Sequence, residues 1–278
     1  MKFAVHAALW MRDWAEDVAP HLEEAARLGF DGVELSLLGM DDATTSRLRA
    51  QAASLGIELT CTTGLAPHQD LTSDDADVRA AGVEALQHAL RTADALGARQ
   101  LSGVVYAPWG QRRMEGRDVR WRRAVSGITA AAALAAELGI TIGIEAINRY
   151  ETDLVTTAAD ATRMAADVDH PNVGVLLDTY HMNIEEKDVA AAMGAAGARL
   201  VHLHVVENDR GVPGSGHVPW DAVVEGVRAT GYGGWATLEM FVQADRRVSP
   251  DLAIWRDIEA DPSDAARRGL AFLRARFA

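Results

Sequence analysis

At 278 residues, 49% of them apolar and 24% charged, the chain has the make-up of a folded globular protein and is long enough for one large core. A formal net charge of -13, with the basic residues scattered rather than gathered, argues against a nucleic-acid partner. Neither a membrane span of roughly 20 apolar residues nor a secretion signal is expected, and the single cysteine, Cys61, forms no internal disulfide and points to a reducing, cytoplasmic setting.

Strand signals alternate with helix signals from end to end, the pattern of a parallel sheet covered by helices. Strands are expected near residues 2–8, 32–37, 58–63 and 100–106, and then in four apolar runs, TIGIEAI (141–147), VGVLLDT (173–179), LVHLHVV (200–206) and WATLEMFV (235–242). Helical segments are expected over 15–28, 42–55, 78–96, 119–138, 158–168, 220–230 and 263–275, several with a glycine just beyond, as at Gly29, Gly97 and Gly139. Eight strand-helix units fit the about 250 residues of a (β/α)8 TIM barrel, and no linker-like shift divides residues 1–278, so a single barrel domain is expected. The long connections, 64–77, 107–118, 208–219 and 243–262, all follow strands, the side on which barrels build their sites.

Two of the buried-looking runs end in carboxylates, Glu145 and Asp178, and the next two carry His204 and Glu239. The intervals between them are 33, 26 and 35 residues, close to the ~30 of one strand-helix-strand unit, so the four side chains should land side by side. An anion at the end of a buried strand costs free energy unless a cation meets it, and a metal ion would serve all of them. Alternation puts Gly143, Glu145 and Ile147 on one face of their strand and Glu239 on the same face as Thr237. His202 and His204 also point the same way; His204, nearer the carboxyl end, is the preferred ligand. Three oxygen donors and an imidazole suit Mn2+ or Mg2+ first and Co2+ next, with zinc left open. Any one of these residues alone reads more readily as a capping or hydrogen-bonded core residue; the four together favour a metal site.

These residues lie in segments that resemble the ketose 3-epimerases, the D-tagatose, D-allulose and L-ribulose 3-epimerase group of the xylose isomerase-like barrels. The segments are GIEAINRYET, GVLLDTYHMNIEE, HLHVVENDRGVPGSGHVPW and GYGGWATLEMF, with LTCTTGLAPHQDLTSDDADVRAAG and GARQLSGVVYAP extending the resemblance over most of the chain. The resemblance implies that Glu145, Asp178, His204 and Glu239 hold a divalent metal, that Glu145 and Glu239 are the proton-transfer pair, and that Glu151, His181 and Arg210 contact substrate oxygens. It implies a free ketose as substrate and a homodimer or homotetramer as the assembly. Ala146 departs from the pattern, where many relatives carry proline.

The chemistry stands without the family. Inverting a carbon beside a ketone requires one base to remove a weakly acidic proton and an acid on the opposite face to return one. Glu145 and Glu239, on the fifth and eighth strands, could flank a planar enediolate in that way. His181 and Arg210, just beyond strands six and seven, can donate hydrogen bonds to its oxygens, with a loop-stabilising role as the alternative. Glu151, six residues past Glu145, reads equally as a hydroxyl-binding or a helix-starting acid. His6, Trp14, Cys61 and Trp109 fall where they could shape a sugar pocket, ordinary packing being at least as good a reading, and Glu34 could be a second, supporting acid. Gly211, Gly214 and Gly216 lack the lysine and spacing of a P-loop and read as turn residues. Arg246 and Arg247 could meet a phosphate or lie on a solvated loop. Three rivals remain: an aldose-ketose or hydroxypyruvate isomerase on the same barrel, a multi-zinc DNA repair endonuclease, which sits poorly with the net charge, and a non-catalytic sugar-binding module.

Overall fold

The computed structural model describes residues 1–38, 40 and 42–277, and its eight parallel strands close into a barrel in simple sequence order. They are β1 (Lys2–His6), β2 (Gly32–Ser36), β3 (Glu58–Leu65), β4 (Gln100–Pro108), β5 (Thr141–Glu145), β6 (Val173–Asp178), β7 (Leu200–Val205) and β8 (Trp235–Leu238), with β8 pairing back onto β1. The helices are α1 (Ala19–Leu28), α2 (Asp42–Leu55), α3 (Ala76–Leu96), α4 (Arg117–Leu138), α5 (Ala158–Val168), α6 (Thr179–Glu185), α7 (Val189–Ala196), α8 (Trp220–Thr230) and α9 (Pro262–Arg276). α9 packs on β1 and β8 and completes the outer ring. Among the described residues no helix is long and apolar enough to cross a membrane.

The core lies between barrel and helices. Outward strand positions such as Val5, Val33, Leu35, Ile142, Ile144, Leu203 and Val205 are buried with helical Leu22, Leu48, Leu90 and Ile128 in one apolar cluster. The barrel interior is different. Bulky aliphatic side chains usually fill such a lumen, whereas here Glu34, Thr60, Ser102, Asp178, His202, His204 and Thr237 are all buried. A polar interior is tolerable only when its groups satisfy one another. At mid-height Gln100 donates to Ser102 Oγ at 2.7 Å, and Gly143 faces that hydroxyl at a point where any Cβ would collide with it.

The elements follow the expected order, with differences at their ends that have local causes. The first helix starts at Ala19 rather than residue 15, because Asp13 and Asp17 accept from the backbone N–H groups of Ala15 and Ala19 and hold the chain in turns, and Pro20 then sits in the first helical turn. The last helix begins on Pro262, with Asp261 accepting from Ser263 N and Asp264 N. Two short helices between β6 and β7, α6 and α7, are additional to the expected ones; each starts under an aspartate cap, Asp178 and Asp188. At the amino-terminal end of the barrel a cleft of 440 Å3 opens among Arg49, Glu58, Gln100 and Trp235; Glu145, Asp178, His204 and Glu239 lie at the other end.

Candidate metal centre at the carboxyl-terminal mouth

Glu145 and Asp178 are the last residues of β5 and β6, His204 is the fifth of six in β7, and Glu239 immediately follows β8. Register brings them level: Asp178 pairs with His204, and His204 with Thr237. Each offers one donor atom, and the four atoms lie within 4.8 Å of one another. His204 contributes Nδ1, which is 3.3 Å from Glu239 Oε1 and 3.9 Å from Glu145 Oε1. Asp178 is held from behind: Oδ1 accepts from Tyr180 N at 2.8 Å as the cap of α6, which leaves Oδ2 for the mouth. His204 stands level with the other three donors, whereas His202 lies one layer deeper, against Thr237 and Glu34.

Crowding three carboxylates in a buried pocket perturbs them unequally. Burial, together with the neighbouring Glu239 carboxylate, pushes Glu145 well above the usual carboxylate range. Burial also lifts Asp178, to about 6, against the pull of Arg210. Glu239, with 12% of its side chain exposed, also feels desolvation, yet His204 and Arg210 outweigh that and hold it below its ordinary value. One proton is thus favoured on the Glu145 side of the pair and disfavoured on the Glu239 side. The donor set fits a hard or borderline divalent cation: three carboxylates, one imidazole, and a buried His204 Nδ1 that has no hydrogen-bond partner.

Around this group stand the donors. Arg210 Nη1 donates to Asp178 Oδ2 and Glu239 Oε2, both at 2.8 Å, while its guanidinium lies 3.9 Å from the centre of the Tyr180 ring and 5.2 Å from that of Phe241. Its backbone is left-handed, φ 68°, an unusual conformation for a non-glycine residue. Backbone hydrogen bonds close the turn, Arg210 N to Glu207 O at 3.0 Å and Glu207 N to Gly211 O at 3.2 Å, and the buried Glu207 carboxylate accepts from Gly214 N, Val218 N and Trp220 Nε1. His181, buried on α6, accepts from Asn148 N at its Nδ1, and its Nε2 points into the group, 3.7 Å from Asp178 Oδ2 and 3.9 Å from Glu145 Oε1. Burial and then Arg210 lower its pKa well below the ordinary value, and Nε2 also lies 3.3 Å from Arg210 Nη2. Glu151 is fixed on the rim by Trp109 Nε1 at 2.8 Å and Asn148 Nδ2 at 2.7 Å.

The structure does not bring every expected residue to the site. His6 is at the mouth, its Nδ1 accepting from Ala8 N and its Nε2 3.2 Å from Thr62 Oγ1. Trp14 is half-buried on the rim, its indole N–H donating to Asp251. Cys61 is a correction: Thr60 and Thr62 face the barrel interior, so alternation turns Cys61 outward into the apolar core, where burial drives its thiol pKa up. Thr62 occupies the mouth position instead. Arg246 donates to Leu9 O, Met11 O and Gln243 Oε1, and Arg247 pairs with Asp13 at 2.9 Å, so both serve the loop after β8. Asn148, Tyr180, Phe241 and Glu207 were missed from sequence, being neutral or ordinary loop residues whose roles arise only from partners far along the chain.

A closed parallel barrel whose interior carboxylates and histidine converge at the carboxyl ends of β5 to β8 defines a recognisable class. The chain belongs to the xylose isomerase-like TIM barrel family, whose model matches residues 22–276. Within that family its relatives include ketose 3-epimerases, isomerase-class enzymes. It is 34% identical to the D-psicose 3-epimerase of Agrobacterium fabrum over 99% of this chain and 98% of the relative, and 33% identical to the L-ribulose 3-epimerase of a Methylomonas species over 100% and 98%. The solved structure of D-psicose 3-epimerase from Clostridium cellulolyticum H10 with D-tagatose superposes with a TM-score of 0.95 at 33% identity, covering 100% of this chain and 99% of that one.

Proposed function

We propose that the protein, read as one barrel domain over residues 1–278, is a metal-dependent ketose 3-epimerase acting on a free ketose of the D-tagatose, D-allulose/D-fructose or L-ribulose type. The observation that carries this reading is the convergence of four donor atoms within 4.8 Å of one another, with Glu145 and Glu239 arriving from strands three places apart. Glu145, Asp178, His204 and Glu239 are the residues that would hold the ion, Mn2+ first, with Mg2+ or Co2+ as substitutes. When bound, it supplies positive charge that acidifies the C–H beside the carbonyl.

The rest is done by side chains. One glutamate takes the C3 proton, and the C–H electron pair moves into a planar C2–C3 enediolate. The other glutamate, protonated, gives a proton to the opposite face, so C3 is inverted and no atoms are gained or lost. Running the relay backwards exchanges the roles of Glu145 and Glu239. His181 donates through Nε2–H, and Arg210 through its guanidinium, to the developing oxygen charge. Glu151 binds a sugar hydroxyl, with Trp109 holding its carboxylate, and His6, Trp14 and Thr62 wall the far end of the sugar.

Incubating the Mn2+-loaded protein with D-fructose and a panel of other unphosphorylated ketoses in heavy water tests this. Deuterium at C3 with appearance of the C3 epimer is expected; deuterium confined to C1 would mark an aldose-ketose isomerase, and binding without exchange a sugar-binding module. Sedimentation would show whether the assembly is the homodimer or homotetramer implied by the family resemblance. A single, fully buried cysteine is compatible with work in the cytoplasm.

A further inference from the structure

Glu34 lies outside the ligand group, and the relay above gives it no task. It stands on β2 with its side chain fully buried and reaches across the lumen to β7. Its two carboxylate oxygens are divided between two imidazoles: Oε1 is 2.6 Å from His204 Nε2 and Oε2 is 2.6 Å from His202 Nε2. Thr60, its register partner on β3, donates to Oε2 at 2.9 Å. Nothing about these four residues is exposed to water: their exposures are 0% or 1%.

The consequence is a choice of nitrogen. An imidazole that gives Nε2–H to a carboxylate keeps its other nitrogen for a ligand, and such outer carboxylates fix both the tautomer and the ring orientation of a metal-binding histidine. His204 Nδ1 is the nitrogen turned toward Glu239 and Glu145, and it has no hydrogen-bond partner. His202 braces the same arrangement, its ring edge-on to that of His204 with centroids 5.2 Å apart.

We propose that Glu34 is a positioning residue for the metal centre: by gripping His202 and His204 through Nε2 it presents His204 Nδ1 to the cation. The inference rests on reading Glu145, Asp178, His204 and Glu239 as that centre. Glu34, His202 and His204 also offer donor atoms within 4.8 Å of one another, the spacing that a second ion would need. The 2.6 Å contacts favour hydrogen bonds instead, because two donors each about 2.1 Å from one ion at right angles would stand about 3 Å apart.

The test is titration of chelator-stripped protein with Mn2+ by calorimetry, wild type first. One Mn2+ per chain is expected. A wild type that binds none removes the metal centre itself, whereas a wild type that binds normally beside an equally tight Glu34→Gln removes only the role of Glu34. Glu34→Gln is expected to bind Mn2+ about 10- to 100-fold more weakly, the loss typical of such outer partners. Thr60→Val, which leaves the two imidazole contacts in place, should stay within about twofold, a difference below the ~10-fold step of 1.4 kcal/mol. Should Glu34→Gln not fold, Glu34→Asp, whose shorter carboxylate cannot span both rings, carries the same expectation and is overturned by the same unchanged affinity. Nitrogen NMR of the protein loaded with diamagnetic Mg2+ gives a readout independent of activity: His204 should carry its proton on Nε2 in the wild type, and that Nε2–H proton should shift upfield in Glu34→Gln, where a neutral amide replaces the carboxylate partner. Two Mn2+ per chain in the wild type, one of them lost in Glu34→Gln, would make Glu34 a ligand and overturn the proposal.

Discussion

Glu239→Gln separates chemistry from architecture at this site. The carboxylate accepts from Arg210 Nη1 at 2.8 Å and lies 3.3 Å from His204 Nδ1, with 12% of the side chain exposed. Glutamine keeps the shape but offers one oxygen and two N–H donors, so either Arg210 or His204 comes to face a donor. Arg210 retains Asp178 at 2.8 Å, so the guanidinium is not stranded. One buried hydrogen bond is lost, which costs about 1–3 kcal/mol and for a chain of this size lowers Tm by roughly 2–12 °C. Turnover should fall much further. Loss of a general acid-base group alone costs about 10²–10⁴, and here the same atom is a proposed metal donor, so a drop of at least about 10³ is expected. Deuterium incorporation at C3, followed by proton NMR with Mn2+ in excess, gives the rate, and circular dichroism with a thermal melt reports the fold. A folded variant that keeps more than about a tenth of wild-type exchange, far outside that 10²–10⁴ range, would take Glu239 out of the relay.

Other expectations follow from the same contacts. Exhaustive chelation should abolish exchange and Mn2+ restore it, with the ion raising stability by about 2.7 kcal/mol at a hundred times its Kd; undiminished turnover after chelation would end the metal reading. Trp109→Phe removes the 2.8 Å hydrogen bond to Glu151 at a site where the indole is 48% exposed. With solvent partly replacing it, the loss is about 1 kcal/mol, read as roughly a fivefold rise in KM with kcat little changed; an equal fall in kcat would mean that Glu151 acts in the chemical step. On the rim, Glu185 accepts from Arg149 N and Nε at 2.8 and 2.9 Å. Its pKa is lowered, the Arg149 bonds overcoming partial burial. A depressed carboxylate stabilises the fold above its unfolded pKa of about 4.3 and stops doing so as pH falls through the folded value. Arg149 is 62% exposed, so the effect is modest: Glu185→Gln should be less stable by about 1 kcal/mol at neutral pH, and the gap to wild type should close in chemical denaturation as pH falls through the lowered folded pKa of Glu185. A gap that persists at low pH would assign it to packing.

What could be read in the sequence was what repeats with the fold's own period. Strand-end donors spaced by one strand-helix unit must converge once the strands are parallel and adjacent, so Glu145, Asp178, His204 and Glu239 were legible without coordinates. Period-two alternation likewise placed His202 and His204 on one face. It carried equal information about Cys61, since turning Thr60 and Thr62 inward forces Cys61 outward, but the turn toward the lumen is fixed only by partners 26 and 56 residues away, Glu34 and His6. Asn148 and Glu207 show the same boundary from another side. Asn148 matters because its N–H and amide meet His181, and Glu207 because its carboxylate gathers three donors, from Gly214, Val218 and Trp220, while its backbone closes the turn that carries left-handed Arg210 beneath Tyr180. Such residues have no characteristic spacing and no characteristic chemistry alone. They act by fixing the direction of a neighbour whose chemistry was already visible, and direction is what the closed barrel adds to a list of donors.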